Sequence, residues 1–375
     1  MRKFLLVSIA LLAACASNNP SDATKKNADE DYLAKPVSGY SAASWSSAVG
    51  VIPEGVVHDT ARQKDIAVSI DYPTKAEKAP ILIVSPAYGA TNRSYEGLAS
   101  YFASNGYVVI RASHADARRA TNARDAQAGA DAQTPTDWRE RAKDISAIIE
   151  SLPALETSYP ELKGKLDAAK IGLAGHAYGA TTATLLAGGR TFPGAVSYAD
   201  PRIKAVLLMS PSGPNDARGL TNESWANLTI PAMFMSGSRD TGANDSETPE
   251  WRRRAFELSP AGDKWYVSIE GARSASFTGG NNMPLGEVFR EPVTADNIPV
   301  PTDDPRVDPR AATPARIPRQ GTARGDIGFY RERDIFNTAK VIARAFFDAY
   351  LNTNKEALEY LDRLSQRSDL KAETK

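Results

Sequence analysis

The clearest chemical pattern in the chain is Gly175-His-Ala-Tyr-Gly179, which lies between a short apolar run and a helix rich in small residues. The pattern G-x-S-x-G at such a place puts a nucleophile at the tip of a sharp turn, where the glycines allow close backbone approach. Here the nucleophile position holds Ala177, whose methyl group cannot attack a carbonyl carbon. The sequence therefore predicts the framework of a nucleophile turn without its nucleophile.

Two further segments carry groups that ester cleavage requires, an acid and backbone N–H donors for the oxyanion. Asp240 follows the apolar run 232–235 and is predicted to be the acid that orients the base. Tyr88 lies in the loop after the run 81–84, and the N–H groups of Tyr88 and Tyr178 are the predicted oxyanion donors. Both segments can also be read as plain turns, since aspartate is common after strands.

A base is the group that the sequence does not supply. The chain has three histidines, and none follows Asp240, although the order nucleophile, acid, histidine is expected here. His58 is predicted to lie on the surface, and His176 to pack beside its strand away from the nucleophile's face. His114 is predicted near the rim, as the one histidine that can reach the site. The base belongs in the loop 270–279.

Alternating strands and helices are predicted to position these groups. They favour a mostly parallel, doubly wound α/β sheet with helices on both faces and the site at the carboxyl ends of the strands. A lid-like loop is predicted over 113–137 and a proline-rich surface loop over 291–324. The predicted strands are 66–72, 81–84, 107–110, 169–174, 203–209, 232–235 and 264–269, and the predicted helices are 95–105, 138–152, 178–188, 251–258 and 333–351.

Five motifs between about residues 57 and 280 resemble the bacterial dienelactone-hydrolase and platelet-activating-factor-acetylhydrolase-like branch of the α/β-hydrolases, near the cutinase-like lipases. The resemblance implies an α/β-hydrolase fold and carboxylic-ester hydrolysis without a cofactor. The motifs are Ser85-Pro-Ala-Tyr-Gly-Ala, Gly175-His-Ala-Tyr-Gly-Ala, Asp200-Pro-Arg-Ile-Lys-Ala, Ser236-Gly-Ser-Arg-Asp and Gly271-Ala-Arg-Ser-Ala-Ser-Phe.

The resemblance also implies where the family's three catalytic residues fall. The last motif is similar to Gly-Ala-x-His-x-x-Phe, which places the base at Ser274, the nucleophile at Ala177 and the acid at Asp240. Two of the three positions therefore depart from the family. The oxyanion loop departs as well, because it carries Pro86-Ala87 where many relatives carry His-Gly.

These substitutions predict a chain that is inactive in ester hydrolysis. Removing the nucleophile or the base of a triad lowers kcat by about 10⁶, and what remains is about 10³–10⁴ over water. Ser274 and Ser276 are alternative nucleophiles, but the sequence shows no histidine that would act as their base. Activation of a bound water by His114 is an equally weak alternative. An engineered knock-out of a serine esterase and a natural pseudo-enzyme both fit this sequence.

Two other function classes fit the same residues, a non-catalytic lipoprotein that binds a ligand in this cleft and a structural envelope protein. Lys plus Arg equals Asp plus Glu at 45 each among 375 residues, which gives no support for a nucleic-acid partner. The expected ligand is a small-molecule or lipid ester. No spacing of metal ligands appears, so neither metal nor cofactor is expected. A monomer is the default.

The N-terminus predicts export and lipidation. Residues 1–14 have a short basic region and an apolar core, as in a lipoprotein signal peptide, and Cys15, the only cysteine, is the predicted lipidation site. An ordinary secretory signal is the alternative. Residues 15–44 are predicted to be a disordered tether. Anchoring at the periplasmic side of the bacterial outer membrane is expected. The hydrolase domain is predicted over 45–352 and a charged C-terminal tail over 353–375.

Overall fold

A computed structural model describes residues 47–118, 135–242, 247–279 and 322–375, without the side chains of residues 118, 135–137 and 322–331. The predicted signal peptide, the tether with Cys15 and most of the two predicted long loops lie outside the described residues. Among the described helices, none has both the length and the apolar composition needed to cross a bilayer.

One sheet organises the described part of the chain, and all nine strands found there belong to it. Its strands are β1 (Val49–Asp59), β2 (Lys64–Pro73), β3 (Ala79–Ser85), β4 (Val108–Ala112), β5 (Leu166–His176), β6 (Ile203–Met209), β7 (Ala232–Gly237), β8 (Lys264–Ile269) and β9 (Leu370–Thr374). Their order across the sheet is β1-β2-β4-β3-β5-β6-β7-β8-β9. The strands from β4 to β8 are parallel, and β1, β2 and β9 pair antiparallel.

Helices cover both faces of this sheet, as predicted. In the described residues they are α1 (Glu96–Ser104), α2 (Pro135–Glu150), α3 (Leu152–Ser158), α4 (Tyr178–Leu186), α5 (Pro249–Leu258), α6 (Thr322–Leu351) and α7 (Lys355–Asp362). On one face α1 meets α6, with the rings of Phe102 and Phe347 5.9 Å apart. On the other face α2 meets α4, with the rings of Trp138 and Tyr178 5.6 Å apart. The apolar run of β3 is buried on both sides, which is why it lacks alternation.

The C-terminal segment corrects the predicted domain boundary. Residues 353–375, predicted to be a charged tail, contain α7 and the edge strand β9. Leu370 pairs with Ile269 of β8, and Leu364 and Leu370 are buried. The prediction of a tail was wrong because β9 exposes most of its side chains and carries little apolar alternation. Strand β1, helix α3 and the first turns of α6 were likewise not predicted.

Candidate active site

The turn between β5 and α4 has the geometry that the glycine pattern predicts. Ala177 lies at its tip with φ 48° and ψ −108°, a backbone conformation that costs an alanine about 1–3 kcal/mol. Its N–H donates to the carbonyl oxygen of Met209 at 2.8 Å. A Cβ on Gly179 would overlap the carbonyl oxygen of Ser85, so α4 can approach β3 this closely only without a side chain there. The methyl group of Ala177 is half-buried at a strained turn.

The two residues predicted to supply oxyanion donors lie side by side. Their rings, of Tyr88 in the loop after β3 and of Tyr178 at the start of α4, pack edge to face with centroids 5.4 Å apart. The N–H of Gly89 donates to Asp116 Oδ2 at 2.8 Å. Within the described residues, no acceptor contacts the N–H of Tyr88. The loop and the turn thus meet at the carboxyl edge of the sheet.

Ser274, at the predicted base position, is hydrogen-bonded to a buried histidine, His176, which directly precedes the tip of the turn. Ser274 begins a short 3₁₀ helix after β8, and its carbonyl oxygen and Oγ both lie 3.0 Å from His176 Nε2. His176 Nδ1 lies 2.7 Å from the hydroxyl of Tyr95, which itself accepts the N–H of Ala87 at 3.0 Å. The Tyr95 hydroxyl therefore donates to Nδ1, and Nε2–H donates to Ser274.

The protonation state of His176 follows from its surroundings. Its ring is buried, and burial lowers the pKa of His176 to about 4, so the imidazole is neutral near pH 7. Both ring nitrogens already have hydrogen-bond partners. His176 therefore connects the loop of Ser274 to the turn and leaves neither nitrogen for proton transfer at Ala177.

The predicted acid has a guanidinium as its partner. Asp240 follows β7, is fully buried and accepts the hydroxyl of Ser236 at 3.0 Å on Oδ2. Arg252 Nε lies 3.1 Å from Asp240 Oδ1 and donates to the Asp240 carbonyl at 2.9 Å. Burial raises the pKa of the Asp240 carboxyl, and Arg252 opposes that rise. The cation that balances the charge of this carboxylate is therefore Arg252. Among the described hydrogen bonds, none joins Asp240 to Ser274.

A Ser–His–Asp group does exist in the chain, at a place that the sequence did not reveal. Ser85 Oγ lies 3.1 Å from His114 Nε2, and His114 Nδ1 lies 2.9 Å from Asp144 Oδ2. Residues Ser85, His114 and Asp144 are called the buried Ser–His–Asp group below. The prediction that His114 lies near the rim and can reach the site was wrong, because its side chain is buried between β3 and α2.

This buried group is a structural connection between elements. Ser85 is 0% exposed, so no ester carbonyl can approach its hydroxyl. The second carboxylate oxygen of Asp144 contacts Arg62 at 2.7 Å and Lys64 at 2.6 Å. Burial opposes ionisation, yet the contacts with His114 and Lys64 hold the pKa of Asp144 at about 2. The carboxylate therefore balances cations of the β1–β2 region, and the group joins β3, β4 and α2.

The predicted site positions all fall at one edge of the sheet. Tyr88 follows β3, Ala177 follows β5, Asp240 follows β7 and Ser274 follows β8, and these parallel strands end on the same side. His58, predicted at the surface, is exposed on β1. Within the described residues, no group of three or more His, Cys, Asp or Glu side chains is arranged to hold a metal ion.

Comparison with known proteins agrees with this geometry. Residues 66–254 match the model of the dienelactone hydrolase family, a span that includes Tyr88, Ala177 and Asp240 but ends before Ser274. No curated protein matches the chain. The turn, the order of the strands and the family match together establish an α/β-hydrolase fold and a hydrolase scaffold. The chain belongs to the dienelactone hydrolase family.

Proposed function

We propose that this chain is a carboxylic-ester hydrolase scaffold that does not hydrolyse esters, because its nucleophile position holds Ala177 and its base position holds Ser274. The observation that carries the proposal is the backbone of Ala177, which keeps the strained turn but offers only a methyl group. Neither of the two buried histidines replaces the missing general base. Both ring nitrogens of His176 are hydrogen-bonded, and His114 belongs to the buried Ser–His–Asp group.

Hydrolysis of p-nitrophenyl acetate by the unmodified chain tests this proposal. The rate of hydrolysis is expected to exceed that of the reaction in water by no more than about 10³–10⁴-fold, because only binding and oxyanion contacts remain. A serine-directed fluorophosphonate is expected to leave the chain unlabelled. Turnover at an enzyme-like rate would contradict the proposal, and its loss in Ser85→Ala would then assign the activity to the buried Ser–His–Asp group.

A second candidate function is a binding lipoprotein that holds an ester in the cleft without turnover. It is favoured by the oxyanion loop, which is held in place by the hydrogen bond from the Gly89 N–H to Asp116 although the nucleophile is absent. Saturable binding of p-nitrophenyl acetate without release of nitrophenol distinguishes this candidate from an envelope protein with no ligand.

We propose lipid anchoring through Cys15 on the basis of the signal-like N-terminus. Expression in a Gram-negative bacterium with an alkyne-bearing palmitate is expected to label the chain and place it in the outer-membrane fraction. Cys15→Ser is expected to abolish the label, and Ser17→Ala serves as a neighbouring control. An exported but unlabelled chain would indicate an ordinary secretory signal.

A further inference from the structure

Arg141 is a buried residue that contacts both halves of the predicted oxyanion site. We propose that Arg141, together with Asp116, positions the backbone donors of Tyr88 and Tyr178, so that the cleft still binds a tetrahedral oxyanion although it has no nucleophile. The proposal rests on the proposed function, since it takes the site to be that of an ester hydrolase. Arg141 and Asp116 are called the oxyanion brace below.

The first step concerns the peptide that carries the Tyr88 N–H. Arg141 Nη1 donates to the Pro86 carbonyl at 2.6 Å, and Nη2 donates to the Ala87 carbonyl at 3.3 Å. The Ala87 carbonyl and the Tyr88 N–H belong to one planar trans peptide and therefore point in opposite directions. Holding that carbonyl against the buried guanidinium directs the Tyr88 N–H away from it.

The second step concerns Asp116, which completes the brace. Arg141 Nε and Nη2 bind its two carboxylate oxygens at 2.9 and 2.5 Å, and its Oδ2 also accepts the Gly89 N–H. Burial opposes ionisation of Asp116, but Arg141 and the Gly89 N–H lower its pKa below the usual value. The peptide after Tyr88 is thus fixed by an ionised carboxylate, and the loop is held on both sides of the donor.

The third step concerns the turn. The guanidinium of Arg141 lies 4.4 Å from the ring centroid of Tyr178, close enough for a cation–π contact. The same ring also packs against the ring of Tyr88. Because Tyr178 is the first residue of α4, fixing its ring helps to fix the first turn of the helix, where its N–H lies. One side chain therefore couples the two predicted donors.

The contacts of Arg141 require a guanidinium group rather than an ammonium group. Arg141 reaches four oxygen acceptors in three peptide or carboxylate groups, which requires a planar fork with several donors. Lysine keeps the positive charge but has a single ammonium group. Arg141→Lys therefore separates positioning from charge.

Binding of the p-nitrophenyl methylphosphonate anion, a tetrahedral oxyanion, to the unmodified chain tests the brace directly. Arg141→Lys is expected to raise its Kd at least tenfold. The matched control is Arg111→Lys, since Arg111 is a similarly buried arginine that pairs with Asp71 at 2.7 Å. Its described hydrogen bonds go to Ser69, Asp71 and Ser94, outside the loop 86–89. Arg111→Lys is expected to leave Kd within about twofold of the value for the unmodified chain. Absence of phosphonate binding to the unmodified chain would overturn the proposal.

A second readout uses turnover in the Ala177→Ser/Ser274→His background. There Arg141→Lys is expected to lower kcat by about 10²–10³-fold with KM nearly unchanged, as for loss of an oxyanion donor. Asp116→Asn is a milder variant for use if Arg141→Lys does not fold. Equal effects of Arg141→Lys and Arg111→Lys would overturn the brace. A background without turnover counts against the triad positions only, and phosphonate binding then decides on the brace.

Discussion

The double change Ala177→Ser and Ser274→His is expected to raise ester hydrolysis above the unmodified chain by up to about 10⁶-fold, the factor that separates intact from broken triads. Ala177 already has the backbone conformation of the turn, so serine adds an oxygen atom without new strain. The acid loop lies against the base loop, with the N–H of Arg239 donating to the Ala272 carbonyl at 3.0 Å. An imidazole at position 274 is therefore expected to lie near both the turn and the acid loop.

The single changes are expected to stay near the background rate, because nucleophile and base act as a unit. Hydrolysis of p-nitrophenyl acetate by the four combinations measures this coupling. The control is Ala177→Ser with Ser276→His, since Ser276 lies on the same loop but faces Glu332, with Oγ and Oε2 2.6 Å apart. Equal rates for the two double variants, or a folded but inactive Ala177→Ser/Ser274→His variant, would refute the triad positions and favour the binding candidate.

Arg252→Met is expected to lower the free energy of unfolding by about 3–5 kcal/mol, the usual cost of leaving a buried charge unpaired. It removes the cation beside Asp240, a carboxylate with no exposed surface. It also removes donors to the carbonyl groups of Ser210 and Pro211. Chemical denaturation at pH 8 measures the loss. The control is Arg253→Met, since Arg253 is a half-exposed neighbour whose pairs with Glu257 and Glu373 are worth little.

The loss in Arg252→Met is also expected to depend on pH. Burial already raises the pKa of folded Asp240 above 3.8, and removing Arg252 raises it further. Between the unfolded and folded pKa values the folded state binds more protons, so its stability falls as pH rises through that window. The destabilisation relative to the unmodified chain is therefore smaller at pH 5 than at pH 8. A loss that is equal at both pH values would show that Asp240 is not the group left unpaired.

The sequence predicted elements whose signals are local. A few consecutive residues are enough to identify the buried apolar runs of β3 and β6. The same is true of the turn between Gly175 and Gly179. The partners of those elements were harder to predict. Arg252 stands in a run of three arginines, and only the burial of one helix face shows which of them reaches Asp240. Arg141 and His114 likewise act through contacts between segments far apart in sequence.

Strand β9 has a consequence for how the chain matures. About one hundred residues of sequence separate it from β8, and contacts between such distant segments form slowly because loop closure costs entropy. Until β9 is synthesised, the N–H and C=O groups along one side of β8 have no partner strand, which makes that side a template for pairing with another chain. Pairing of β9 therefore covers this side of β8 and moves the edge of the sheet outward by one strand, to a short strand that carries Lys371 and Glu373.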